Sequence, residues 1–234
     1  MFTNLFQYLT SHADLFITGI WESLIMTLVS AGAAYLIGLP LGILLIITDN
    51  PLDTESGSLK KKICKTIYTV LGFVVNVFRS IPFIILMIFL IPVTRFIVGT
   101  TIGSTAAIVP LVVAAAPFVA RMVESSIKEV DDGVVEAARS MGASTPQIIW
   151  KVLLPEARPS LLIGSAITVA AIFGYAAMAG FIGGGGLGAI AINYGFYRYQ
   201  TDIMMITLIL SVILVQILQV IGMRLAKISD KRIR

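Results

Sequence analysis

The sequence predicts an all-α integral membrane protein with five membrane spans, and three observations carry that prediction. The chain of 234 residues is 57% hydrophobic and 13% charged, with a mean hydropathy of +0.95, whereas a soluble domain is about 25% charged. Its apolar residues are gathered into uncharged runs, and crossing a bilayer takes about 20 such residues. Its basic residues are gathered too: of 17 Lys and Arg, all but Arg79, Arg95 and Arg198 lie at 60–65, 121–158 and 224–234.

The first run, 23–48, carries no charge and contains Gly32, Gly38 and Gly42, small residues suited to close helix contacts. The second, 63–97, is too long for one simple span and is broken by RSIPF at 79–83. It is read as one discontinuous span, in which an interfacial or partly inserted helix over 63–78 turns into the bilayer, with Ser80 as cap and Pro82 close to the first turn. A Gly/Thr-rich turn leads to the third run, 105–121; the fourth and fifth are 159–182 and 203–223. Lys and Arg accumulate in cytoplasmic loops, so the three basic segments belong on one side, with an even number of spans between each and the next. Five spans satisfy this with the N-terminus outside and the C-terminus cytoplasmic. Basic flanks of this kind meet lipid headgroups, not nucleic acid, and account for the net charge of +4. The opening stretch MFTNLFQYLTSHADLF has no basic residue ahead of its apolar part and does not read as a cleaved signal peptide.

Residue types then exclude several kinds of chemistry. A single cysteine, Cys64, leaves no intrachain disulfide and no cysteine-rich metal site. The single histidine, His12, lies ahead of the spans, which excludes a serine-histidine-aspartate set within them and any multi-histidine metal site. GGGGLG at 183–188 has the Gly183, Gly185, Gly188 spacing of a dinucleotide fingerprint, but it follows a span and not a strand. No Gly-x-x-x-x-Gly-Lys-Ser/Thr phosphate loop occurs, so energy for transport must come from another protein. An ion-coupled carrier keeps ionisable groups within its spans; the last two spans have none. Glu22 and Arg79 are read first as interface anchors or helix caps and second as coupling groups, so a self-contained ion-coupled amino-acid carrier stands as the alternative.

The polar stretch 128–158 interrupts the apolar pattern. Asp131 or Asp132 can cap a short helix that Gly142 ends. On it Val134, Ala138 and Met141 share a face while Glu136 and Arg139 point elsewhere. A second helix can start with Thr145 as cap and Pro146 in the first helical position, stopping before Pro155. The pair forms a cytoplasmic projection whose small residues, Ala137, Ala138 and Ala143, let another surface approach closely; an ordinary surface-lying loop is the alternative.

The spacing Glu136-Ala137-Ala138, Gly142, Val152 and Leu154-Pro155 resembles the EAA motif of permease subunits of bacterial ATP-binding cassette (ABC) importers. With FRSIPFIIL, IVPLVVAAAPFVARMVE, EAARSMGASTPQIIWKVLLPEA, GYAAMAGFIGGGGLG and YGFYRYQ, nearly the whole chain resembles the methionine importer permease subfamily. The resemblance implies the type I ABC importer transmembrane-domain fold, a bacterial cytoplasmic membrane location and a homodimer with one path between its copies. It further implies two ABC ATPase subunits that bind ATP and Mg, no cofactor on this chain, and an extracytoplasmic substrate-binding lipoprotein that delivers L- or D-methionine. Carried onto this sequence, the ATPase-coupling residues are Glu136, Ala137, Ala138, Met141, Gly142, Leu154 and Pro155. For the path, Tyr175 and Met178 interrupt a run of small residues in the fourth span, and Met178 is read either as a gate or as a packing residue.

Overall fold

The structure is a computed structural model that describes residues 12–49 and 58–229. The opening 1–11 and the basic residues Lys231, Arg232 and Arg234 lie outside the described residues. Within them every regular element is helical. In order these are α1 (Ala13–Asp49), α2 (Ser58–Ser80), α3 (Phe83–Phe89), α4 (Ile91–Val98), α5 (Ser104–Lys128), α6 (Asp132–Ser140) and α7 (Thr145–Ile148). A π turn (Ile149–Leu153), α8 (Leu154–Glu156), α9 (Arg158–Ala179) and a 3-10 turn (Gly180–Ile182) follow. The chain continues with α10 (Gly186–Ile190), a second π turn (Ala191–Phe196) and α11 (Thr201–Ser229). Five helical stretches are long and apolar enough to cross a membrane: Ala13–Asp49, Lys61–Ser80, Ser104–Lys128, Arg158–Ile182 and Thr201–Ser229. The number agrees with the sequence expectation.

Several boundaries differ, each for a physical reason. The first helix starts at Ala13, ten residues ahead of the uncharged run, because Glu22 finds the Gly186 N–H as a partner and does not end it. At 37 residues it is about 55 Å long, well beyond the roughly 30 Å hydrocarbon core. The run 63–97 is broken where expected, within RSIPF. It is a 23-residue helix, α2, followed by two helices of 7 and 8 residues. Ser80 is not a cap: it ends α2, and its hydroxyl donates back to the Asn76 carbonyl at 2.8 Å. Pro82 takes the capping position of α3 with φ −57° and ψ 132°, and its ring disfavours helical geometry at Ile81, where α2 has ended. The third helix runs seven residues past 121, to Lys128, because the charges at its end pair with one another.

The chain divides into two compact units. The first comprises 12–33, Ile81–Ala115 and Thr168–Val220. Its core joins Phe16, Phe173, Leu187, Ile190, Ile203 and Ile206, all buried. The second comprises 34–49, 58–80, Ala116–Ile167 and 221–229. There α1 meets α5 at two glycines. A Cβ on Gly38 would lie 2.6 Å from Val119 Cβ and 2.7 Å from the Ala116 carbonyl oxygen; one on Gly42 would lie 2.7 Å from both the Ala120 carbonyl oxygen and Val123 Cβ. Two glycines four residues apart thus bring backbones together where lipid supplies no hydrophobic drive between helices. Gly32, the third glycine of that run, has nothing within 4 Å. Apolar side chains such as Leu36, Phe89 and Phe96 remain exposed, a disposition suited to lipid-facing surface.

Candidate functional site

The motif stretch lies in the second unit and is built from strong local signals. Asp131 is the N-cap of α6, its carboxylate accepting from Gly133 N–H at 2.7 Å. At the other end Gly142 adopts φ +79°. Its N–H donates to the Arg139 carbonyl at 2.8 Å and the next, of Ala143, to the Ala138 carbonyl at 3.1 Å. This paired closure is the Schellman arrangement, which needs a left-handed residue at that point, and glycine adopts it without strain.

The second helix differs from its sequence expectation. Its cap is Ser144, not Thr145, with Gln147 Oε1 accepting from Ser144 N–H at 2.8 Å. Nor does it stop before Pro155. The turn widens over Ile149–Leu153, Leu154 N–H bonds to the Ile149 carbonyl, and the helix passes through Pro155 to Glu156. The wider turn relieves the clash between the proline ring and the carbonyl four residues earlier. Ile148, Ile149, Leu153 and Ala157 are buried, so this segment is anchored from beneath.

The residues of α6 divide into two faces, though not as the spacing suggested. Ala138 turns inward and is only 5% exposed, while Met141 is 81% and Val134 42% exposed. The outward apolar stripe is therefore Val134, Ala137 and Met141, at i, i+3 and i+7. Glu136 and Gly142 are exposed beside it, Leu154 is half-buried and Pro155 exposed. Glu136 and Arg139 line a cleft of about 460 Å³ with Asp49, Lys128, Asp132 and Val135.

Beneath this surface lies a charged cluster that the sequence reading missed. The side chain of Glu124 is 5% exposed, yet it holds Arg121 at 2.6 Å and Lys128 at 2.9 Å. Tyr68 donates its hydroxyl to the same carboxylate at 3.1 Å, and Lys128 continues to Asp49 at 2.7 Å. Arg121, Glu124 and Lys128 at i, i+3 and i+7 are the signal that could have found it.

In the first unit Tyr175 is half-buried and stacks on Phe83, ring centroids 4.9 Å apart. Met178, three residues on, is 43% exposed. The glycine cluster forms a hairpin, not a nucleotide loop. A Cβ on Gly188 would collide with the Ala177 carbonyl, and one on Gly180 with Ala189 N. Glu22 Oε2 accepts from Gly186 N–H at 2.6 Å and Ser23 Oγ from Leu187 N–H at 2.9 Å. Of the two readings of Glu22, capping is the one the geometry realises. Arg79, for its part, lies over the Phe118 ring at 5.9 Å in the second unit.

Five apolar helices of spanning length and an exposed motif helix above the Glu124 ion-pair cluster fit the membrane component of a transport system. The chain belongs to the family of binding-protein-dependent transport system inner membrane components, whose profile matches residues 57–234. It is therefore a multi-pass protein of the cytoplasmic membrane, and the ion-coupled alternative is set aside. It is 47% identical over 231 residues, 99% of both chains, to the probable D-methionine transport system permease protein MetI of Vibrio cholerae. It is also 47% identical over 179 residues to the methionine import system permease protein MetP of Bacillus subtilis, covering 76% of this chain and 80% of that one. The structure superposes on a chain of the inward-facing MetNI methionine ABC transporter with a TM-score of 0.87 and 46% identity, over 94% of this chain and 99% of that one. The fold is accordingly that of type I ABC importer permeases.

Proposed function

We propose that this chain is the permease subunit of an ATP-driven importer of L- or D-methionine. Two copies form one path, and each docks an ABC ATPase subunit through α6 to α8. The observation that carries the reading is the exposed Val134, Ala137 and Met141 stripe, closed by the Gly142 turn. An amphipathic helix of this kind lays its apolar face into a groove. Glu136 meets a polar rim of that groove, Leu154 and Pro155 border it, and Ala138 supports the helix from behind. ATP and Mg are held by the ATPase, with no cofactor on this chain. Closure of the ATPase dimer draws the two motif helices together and rocks the spans between inward-open and outward-open states. The basic segments put the motif stretch and the C-terminus in the cytoplasm and the N-terminus outside, where a substrate-binding lipoprotein delivers its cargo. The methionine assignment is supported by relatives of that printed function, one over 99% of this chain and one over 76%.

The exposed Met178 beside the stacked Tyr175 serves as an apolar constriction on the path, a flexible thioether yielding to substrate. Co-expressed with its ATPase, the chain is expected to elute as a complex containing two copies of each; elution as a lone chain beside a folded ATPase would contradict the reading. Met178→Ala is expected to raise ATP-independent methionine leak from vesicles, and unchanged leak and uptake would remove Met178 from the path.

A further inference from the structure

The cluster around the buried Glu124 carboxylate, whose partners Lys128 and Asp49 are exposed, has a geometry that capping or topology does not require. Both oxygens of Glu124 are occupied. Oε1 accepts from Tyr68 at 3.1 Å and from Lys128 at 2.9 Å, and Oε2 from Arg121 at 2.6 Å. Arg121 also donates to the Gly72 carbonyl at 3.1 Å, and Lys128 sits 5.6 Å from the Tyr68 ring while pairing with Asp49. One carboxylate therefore reaches two points on α2 through Tyr68 and Arg121, two charges on α5, and the end of α1 through Lys128. The two acids and two bases balance in charge. Both Glu124 oxygens are thus engaged, and its charge is offset by Arg121 and Lys128.

Its place along the chain matters. α6 begins four residues after Lys128, and in the link between them Val130 is buried and its N–H donates to the Ile127 carbonyl at 3.1 Å. Lys128 lines the same cleft as Glu136 and Arg139 of α6. We propose that Glu124 is a positioning residue for transport, its carboxylate fastening α1, α2 and α5 into one mount so that displacement of the motif helix moves all three together. A buried carboxylate with several partners, as Glu124 is, is well suited to fixing one register between elements.

The proposal rests on the reading of the chain as an ABC importer permease, which ATP-dependent methionine uptake by the unsubstituted complex tests separately. The test compares Glu124→Gln, Glu124→Asp and Tyr68→Phe in the complete permease and ATPase complex in vesicles supplied with the substrate-binding protein. ATP hydrolysis and methionine uptake are measured per assembled complex. For Glu124→Gln, uptake per ATP is expected to fall about fivefold to tenfold, the range of a coupling change, with hydrolysis largely retained. Tyr68→Phe is expected to lower the same ratio less, and Glu124→Asp, which keeps the charge, to restore most of it. An unchanged ratio in Glu124→Gln, with only the yield of complex reduced, would overturn the proposal in favour of a purely structural role. If Glu124→Gln yields no complex, Tyr68→Phe decides: a lowered ratio supports the proposal and an unchanged one overturns it.

Discussion

The glycine hairpin of the first unit and the motif stretch of the second use the same residue for opposite ends. Gly188 has no room for even a methyl group, because a Cβ there would collide with the Ala177 backbone. Gly142 has nothing within 4 Å, and only its φ of +79° calls for glycine. In the hairpin the N–H groups of Gly186 and Leu187 are met by Glu22 and Ser23. The motif stretch is left open, with Met141 and Trp150 exposed above a buried base of Ile148, Ile149 and Leu153. One region spends its small residues on internal packing, while the other keeps them where a partner surface can come close.

That contrast can be broken most severely at Gly188. Gly188→Leu is expected to cost at least the 1–3 kcal/mol, roughly, that overpacking brings, read as a lowered thermal-unfolding midpoint in detergent and loss of monodisperse protein. Next comes the capping acid. Glu22→Ala leaves the Gly186 N–H buried without its acceptor, at about 1–3 kcal/mol, and Glu22→Gln, which keeps an acceptor oxygen, should recover most of the midpoint. A Glu22→Ala protein as stable as its parent would mean that the hairpin does not depend on this bond. Smallest in stability is Gly142→Glu, where the left-handed backbone costs about 1–2 kcal/mol. Its functional effect should be large: substrate-dependent ATPase activity is expected to be lost while the spans remain folded.

The fold was legible because composition and run length report directly on the bilayer as solvent, and the motif helix because it is a polar island at 136–155. The paired features were not. Glu22 and Gly186 are 164 residues apart, and Tyr68 and Glu124 are 56 apart, so neither partnership leaves a local pattern. Glu124 left half a signal in its spacing to Arg121 and Lys128, hidden because both bases were read only as markers of the cytoplasmic side. The π turn at 149–153 was illegible for another reason. Pro155 argues for a helix end on local grounds, and burial of Ile149 and Leu153 outweighs it. Ala138 was placed on the outward face because i, i+4 and i+7 form a face as readily as i, i+3 and i+7; tertiary packing chose the second.

The central claim is that work enters this chain through the motif stretch from an ATPase and leaves as methionine transport. Uptake of labelled methionine into vesicles supplied with the substrate-binding protein, measured with and without the ATPase subunit and ATP and in the absence of any ion gradient, tests it most directly. The account predicts uptake only when ATPase and ATP are both present, and its loss in Gly142→Glu. Uptake by this chain alone on an imposed ion gradient, indifferent to ATP and to Gly142→Glu, would contradict it.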